Sequence, residues 1–271
     1  MNPLRCKNRE LPLGERTTIM GILNVTPDSF SDGGSYLSIE KALEQAKLMA
    51  AEGADILDIG GESTRPGFAA VPLEEELNRV IPIIQALKKE LSLPISIDTY
   101  KSEVARQALE AGAHIINDVW GGLADPQMVK VAAEYDCPFI ITHNRKNMEY
   151  NDFLADVLDD LGTSVRYALQ AGVREERIIL DPGIGFAKTY EQNLWLMNRL
   201  EAIVAMGYPV LLGTSRKSMI QKTLNLPPQD VVEGTAATVT LGISKGCHIV
   251  RVHDVQAMKR VAVMTDAMVR T

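Results

Sequence analysis

Eight short runs of apolar, largely β-branched residues punctuate this chain of 271 residues, and each is followed by a longer amphipathic segment. The runs are 18–23, 56–59, 95–97, 114–116, 138–142, 178–180, 210–212 and 248–252. Each is apolar along its length rather than alternating at period two. That suits parallel strands covered on both faces, since a strand with one wet face would alternate. The segments between read as helices at 39–51, 73–91, 102–111, 126–135, 153–171, 190–206, 231–245 and 255–269. In the second of these, Leu77, Val80, Ile81, Ile84 and Leu87 recur every three or four residues and form one apolar stripe. Pro82 lies inside that stripe and is expected to kink the helix or break its first turns.

The punctuation repeats as well. Gly53, Gly112, Gly172 and Gly246 each close a helical segment ahead of a strand, where a left-handed residue ends a helix cheaply. Pro94, Pro138 and Pro209 introduce the strands between, at positions that need no ladder donor. Gly53 and Gly112 are 59 residues apart, Gly112 and Gly172 are 60 apart, and a unit of two strands and two helices fits that period. The expected fold is α/β, a single-domain (β/α)8 TIM barrel over 18–271, with 1–17 as an N-terminal cap segment. An open doubly wound sheet is the runner-up, and eight strands argue against it. A prior of ~150 residues per domain does not exclude the barrel, which at ~250 residues is one domain.

Composition removes several function classes. A net charge of −7 argues against non-specific nucleic-acid binding, so any anionic ligand must be attracted by a local basic cluster. Cys6, Cys137 and Cys247 are odd in number and widely spaced, which suits inert thiols better than a disulfide framework or a zinc site. The first sixteen residues lack an apolar signal core, and no run of 18 apolar residues suggests a membrane span. A cytoplasmic protein without nucleic-acid or membrane partners is expected.

In a barrel of this kind, strand C-termini carry the active site. Here they carry Asn24, Asp58, Asp98, Asn117, Asp118, His143, Asn144, Asp181, Ser215-Arg216-Lys217, Arg251, His253 and Asp254. That is more polarity than solubility requires. Two long loops follow the first two strands: 24–34, with Phe30, and 60–68, with Glu62 and Phe68. Both mix Gly and Pro with hydroxyls and read as covers over the barrel mouth.

These loops, with Ser96-Ile97-Asp98-Thr99-Tyr100, Asp181-Pro182-Gly183-Ile184-Gly185-Phe186, Gly213-Thr214-Ser215-Arg216-Lys217 and Arg251-Val252-His253-Asp254, closely resemble the dihydropteroate synthase family. The resemblance runs from about Thr18 to about Ala267 with the motifs in order. It implies a transferase of folate biosynthesis that joins 6-hydroxymethyl-7,8-dihydropterin diphosphate to p-aminobenzoate and releases pyrophosphate. It also implies Mg²⁺ as cofactor, a homodimer, and a place in a family that is a sulfonamide target.

By the same resemblance, Asp181 takes the 2-amino/N3 edge of the pterin, Asn117 reads the neighbouring edge and Lys217 donates to the O4/N5 side. Asp98 lies by the dihydropyrazine ring, where its charge can stabilise a developing cation. Asn24, Arg251 and His253 meet the diphosphate, with Asn24 also reaching the metal. Thr64, Arg65, Pro66, Phe186, Lys217 and Ser218 surround the p-aminobenzoate. The catalytic set is therefore Asp98, Lys217, Arg251 and His253. His114 and His248, at strand starts, read as structural.

The family pattern has Met ahead of the His of the fifth strand. Here that residue is Thr142, which removes a polarizable contact beside the pterin. A second reading is a pterin-binding barrel that presents methyltetrahydrofolate to a corrinoid partner. That activity has no need of the two long loops or of a diphosphate cluster. A third is a catalytically inactive binding barrel, against which the retained charges count.

Overall fold

The computed structural model describes residues 4–6, 9–11, 13–25, 35–62 and 70–270, with the backbone alone at 9 and 35–38. A short antiparallel pair, β1 (Leu4–Cys6) and β2 (Arg9–Leu11), comes first. Eight parallel strands follow: β3 (Thr18–Asn24), β4 (Ile56–Gly60), β5 (Ile95–Asp98), β6 (Ile115–Asp118), β7 (Phe139–Thr142), β8 (Ile178–Asp181), β9 (Leu211–Leu212) and β10 (Ile249–Val252). They are hydrogen-bonded in the order β8-β7-β6-β5-β4-β3-β10-β9. A parallel bridge between Leu180 and Val210 joins the two ends of that order. This is the (β/α)8 barrel expected from the doubly apolar runs.

The two faces of the strands build two separate cores. Outward residues such as Ile19, Leu57, Ile97, Phe139, Leu180 and Val250 pack on the surrounding helices. Inward residues Met20, Ile56, Ile115, Ile140, Ile179, Leu211 and Ile249 form a second cluster. Leu4, Cys6, Leu11 and Leu13 from the N-terminal pair join that inner cluster and plug it from below. Arg16 ties this segment to Asp55 through bonds of 2.8 and 2.7 Å, and Thr17 bonds twice to Asp266.

The helices are α1 (Ser35–Ala51), α2 (Leu73–Glu90), α3 (Ser102–Ala111), α4 (Met128–Glu134), α5 (Phe153–Gln170), α6 (Tyr190–Met197), α7 (Leu200–Val204), α8 (Ser218–Leu224), α9 (Val232–Ser244) and α10 (Val255–Val269). Three expectations need correction. Pro82 does not break α2, which runs through it for 18 residues. The carbonyl deprived of a partner belongs to Asn78, on the exposed side, where water can serve it. Ile83 is fully part of the buried stripe, whereas Ile81 is half-buried. The single helix over 190–206 is two helices, because Arg199 takes φ −125° and ψ 17° after Asn198, a residue whose side chain competes for backbone partners. Helix α8 is seven residues long, too short to show a period in the sequence.

The four punctuating glycines all take positive φ, from 94° at Gly246 to 134° at Gly112. At Gly112, the Gly112 and Ala113 amides both donate to the Ala108 carbonyl and close α3. His114 and His248 behave as expected: their Nδ1 atoms accept from the Ile95 and Val210 amides. Cys6, Cys137 and Cys247 are buried thiols.

Candidate active site

Strand geometry decides which polar residues face the barrel axis. Side chains alternate between faces, so the residue two beyond an inward one also points inward. Stepping up from Ile56, Ile115, Ile140, Ile179, Leu211 and Ile249 gives Asp58, Asn117, Thr142, Asp181, Gly213 and Arg251. Above an apolar floor, the barrel axis is therefore lined by charge and amide.

Arg251 is the hub. Its Nε donates to Asp58 Oδ2 at 2.6 Å, and its Nη2 to Asp98 Oδ2 at 2.7 Å. Asn117 donates from Nδ2 to the same Asp58 oxygen at 3.1 Å. Asp58 is wholly buried, and Asp98 is 5% exposed. Burial pushes the Asp98 carboxyl up to about 7, against the opposing charge of Arg251. Burial works against the Arg251 guanidinium, but Asp58 and Asp98 outweigh it and hold the cation above its ordinary range. Asp58 Oδ1 and Asp98 Oδ1 have no hydrogen-bond partner among the described residues, although both are buried. An orphaned carboxylate oxygen is costly unless a ligand or water completes it, so this is a place built to receive donors.

The second half of the site lies across the barrel. Asp181 ends β8, and its Oδ1 accepts the Gly183 amide at 2.7 Å. Lys217 donates to the Ile184 carbonyl, and its Nζ sits 4.6 Å from the centre of the Phe186 ring. Burial lowers the Lys217 ammonium to about 8, although Asp181 opposes this. The same burial raises Asp181. The bare face of Gly213 separates the two halves: a Cβ there would stand 3.7 Å from Asp181 Oδ2 and 3.9 Å from the Arg251 side chain.

At the rim, Asn24 and Asp98 flank Gly60, where an added Cβ would lie 3.7 Å from both Asn24 Oδ1 and Asp98 Oδ2. Ser215 braces His253: the hydroxyl lies 2.9 Å from His253 Nδ1 and accepts the His253 amide at 3.1 Å. Those two bonds orient the imidazole and leave Ser215 little freedom to act as a nucleophile. Ser218 is the first residue of α8 and is exposed. Thr64, Arg65 and Pro66, with Phe30 and Phe68, lie outside the described residues.

Not every polar strand end joins the site. Asp118 is on the outward register, where it accepts the Trp120 and Gly122 amides at 2.8 and 2.7 Å and braces a turn. Arg216 turns to Asp254, at 2.6 and 3.1 Å. Glu62 pairs with Lys101 and Tyr100, which anchors the base of the second loop. All these groups lie at the strand C-termini, but neighbouring residues of one strand face opposite ways, so only some of them line the barrel axis.

Residues 20–253 match the family model described as pterin binding enzyme. The chain is 58% identical to a dihydropteroate synthase of Bacillus subtilis, over 98% of this chain and 93% of that one. The chain belongs to the dihydropteroate synthase family. It superposes on a crystal structure of the Clostridium difficile dihydropteroate synthase, determined in the presence of pteroic acid, with a TM-score of 0.95 and 51% identity. That match covers 96% of this chain and all of the other. The Xanthomonas albilineans dihydropteroate synthase with 4-aminobenzoic acid matches at TM-score 0.94 and 42% identity, over 98% of this chain and 97% of that one.

Within this family fold, sequence reasoning noted Asp58 at a strand end but gave it no role. The step of two from Ile56, inside an otherwise apolar run, is the signal that singles it out. Lys188 was also missed, and so was the partner of His143. Thr142 is buried and lies beside Asp181 in the parallel register, so the departure from Met falls on the inner wall of the site.

Proposed function

We propose that the chain condenses 6-hydroxymethyl-7,8-dihydropterin diphosphate with p-aminobenzoate to give 7,8-dihydropteroate and pyrophosphate. The observation that carries this reading is the division of the barrel mouth into an Asp181–Lys217 half and an Arg251–Asp98 half, the latter with Asp58 Oδ1 and Asp98 Oδ1 buried and without a partner among the described residues. The ligands in the relatives' crystals, pteroic acid and 4-aminobenzoic acid, support it.

In this reading Asp181 and Asn117 accept and donate along the pterin edge, and Lys217 donates to O4/N5. Arg251 and His253 receive the diphosphate. The C–O bond to the diphosphate breaks with its electron pair leaving on pyrophosphate, and Asp98 stabilises the positive charge left on the pterin methylene. The aniline nitrogen then forms the C–N bond and releases its proton. Phe186, Lys217 and Ser218, with Thr64, Arg65 and Pro66, hold the p-aminobenzoate. Direct in-line displacement is the alternative order of events.

Asn24 Oδ1 and the Asp98 carboxylate offer hard oxygens around Gly60, which fits Mg²⁺. Among the described residues no cluster of three or more His, Cys, Asp or Glu is suited to a metal, so the ion would draw most ligands from diphosphate and water. When bound, it would neutralise charge on the leaving group. The reading also includes a homodimer, supported by exposed Val263, Met264 and Met268 on α10. A cytoplasmic setting goes with it, in keeping with three buried thiols. No helix among the described residues is long and apolar enough to cross a membrane.

Pyrophosphate release is the direct test. It is expected with both substrates and Mg²⁺ present and with neither substrate omitted; no release from the complete mixture sinks the reading. The pH dependence is a second expected result. Asp98 must be ionised to stabilise a cation, so kcat/KM should fall as pH drops through about 7. Lys217 must be protonated to donate, so kcat/KM should also fall as pH rises through about 8. A flat profile from pH 6 to 9, measured as initial rates, would remove these two roles.

A further inference from the structure

The turn between β8 and α6 forms one wall of the site. It carries Phe186, and its Ile184 carbonyl accepts from Lys217. It is also an unusually constrained piece of backbone. Gly183 has φ +67°, and a Cβ there would lie 1.9 Å from the His143 carbonyl oxygen. Gly185 has φ +88°, and Ala187 has φ 46°, a conformation an alanine adopts only under constraint. Something must hold this turn in place.

Lys188 does so from below. It is 7% exposed, and its Nζ donates to the Gly183 carbonyl at 3.0 Å, the Phe186 carbonyl at 3.0 Å and His143 Nδ1 at 2.7 Å. An ammonium has three protons to donate, and all three are used. None is left for a substrate, which separates this lysine from Lys217. With Lys188 protonated, His143 Nδ1 accepts, and the Nε2 proton points at Asp160 Oδ2, 3.1 Å away. Arg145 holds the same Asp160 oxygen. The chain Lys188–His143–Asp160–Arg145 thus braces the turn against the β7–α5 loop. Two further ties act on the turn: Tyr150 donates to the Ala187 carbonyl at 2.8 Å, and Asn193 Oδ1 accepts the Gly185 amide at 2.6 Å.

A buried lysine is a poor choice for stability alone, since an apolar side chain would fill the space without the desolvation cost. Two of its bonds fix the Gly183 and Phe186 carbonyls, on either side of the Ile184 carbonyl that Lys217 meets, and the third ties it to His143. We propose that Lys188 is a positioning residue for the p-aminobenzoate half of the site, fixing the 183–186 turn so that the Phe186 ring and the Ile184 carbonyl place the Lys217 ammonium. This inference rests on the reading in the preceding section. The pterin is anchored mainly by Asp181 and Asn117 at the ends of β8 and β6, so it depends less on the turn.

The test is Lys188→Met, which keeps the length and removes the donors. Steady-state kinetics should show KM for p-aminobenzoate raised about tenfold or more, with KM for the pterin diphosphate changed by less than about threefold. Lys188→Gln keeps an amide donor and should fall between wild type and Lys188→Met. An unchanged KM for p-aminobenzoate in either variant, or an equal rise for both substrates, overturns the proposal. Should Lys188→Met fail to fold, the Gln variant alone carries the same split. Wild-type protein assayed alongside separates the two claims: if it releases no pyrophosphate, the proposed activity has failed and not the role of Lys188.

Discussion

Asp98→Asn should lower kcat by about 100-fold to 1,000-fold while leaving pterin affinity within about threefold. The two side chains have the same shape, so the ring loses little packing. What disappears is a negative charge aimed at the place where the pterin methylene becomes cationic. Asp98 is suited to that task because one oxygen is held by Arg251 and the other has no partner among the described residues. The acid limb of kcat/KM near pH 7 should vanish in the same variant, since the group that titrates there is gone. Equal losses in turnover and in binding would mean that Asp98 only holds the ring. Single-turnover rates set against equilibrium binding of a pterin analogue decide between the two.

Arg251→Ala should do more than weaken the diphosphate. A simple expectation from the sequence is lower affinity for pterin diphosphate with the pterin alcohol spared. The geometry adds a cost to the protein itself. Arg251 is the shared partner of Asp58, which is wholly buried, and of Asp98, which is nearly so. Removing one member of a buried ion network leaves uncompensated charge and typically destabilises by about 3–5 kcal/mol. The sign with pH follows. The Asp98 carboxyl, raised to about 7 by burial, tolerates the loss once protonated, so the deficit should be largest above neutral pH and shrink as pH falls. Denaturant unfolding at pH 8 and at pH 5.5 measures this. A midpoint unchanged at both values would show that the carboxylates do not depend on the guanidinium. Arg251→Lys keeps a charge without the two-pronged reach, and should recover part of the stability and little of the diphosphate affinity.

Much of this protein can be read from local chemistry. The eight strands are legible because each is buried on both faces and leaves no polar alternation, and their ends differ from the reading by only a residue or so. The turns at Gly53, Gly112, Gly172 and Gly246 are legible because a positive φ restricts residue choice. Asp98, Asn117, Asp181, Lys217 and Arg251 stand out because a charge or amide that closes an apolar run is rare without a task. Asp118 shows the limit. It carries the same local signature as Asn117, yet it faces outward and braces a turn.

That the chain forms a barrel of parallel strands with polar groups crowded at the strand ends is local information, because burial on both faces marks each strand within a few residues. Which of those groups meet depends on how the barrel closes. Arg251 finds Asp58 at a separation of 193 residues and Asp98 at 153, and Lys188 finds His143 at 45. Closure of the sheet and the register of its strands set those distances, and no local pattern encodes them. The roles of Asp58 and Lys188 follow from that closure: each has a partner on a distant strand or loop, and each holds in place a group that touches the substrate in the proposed reaction.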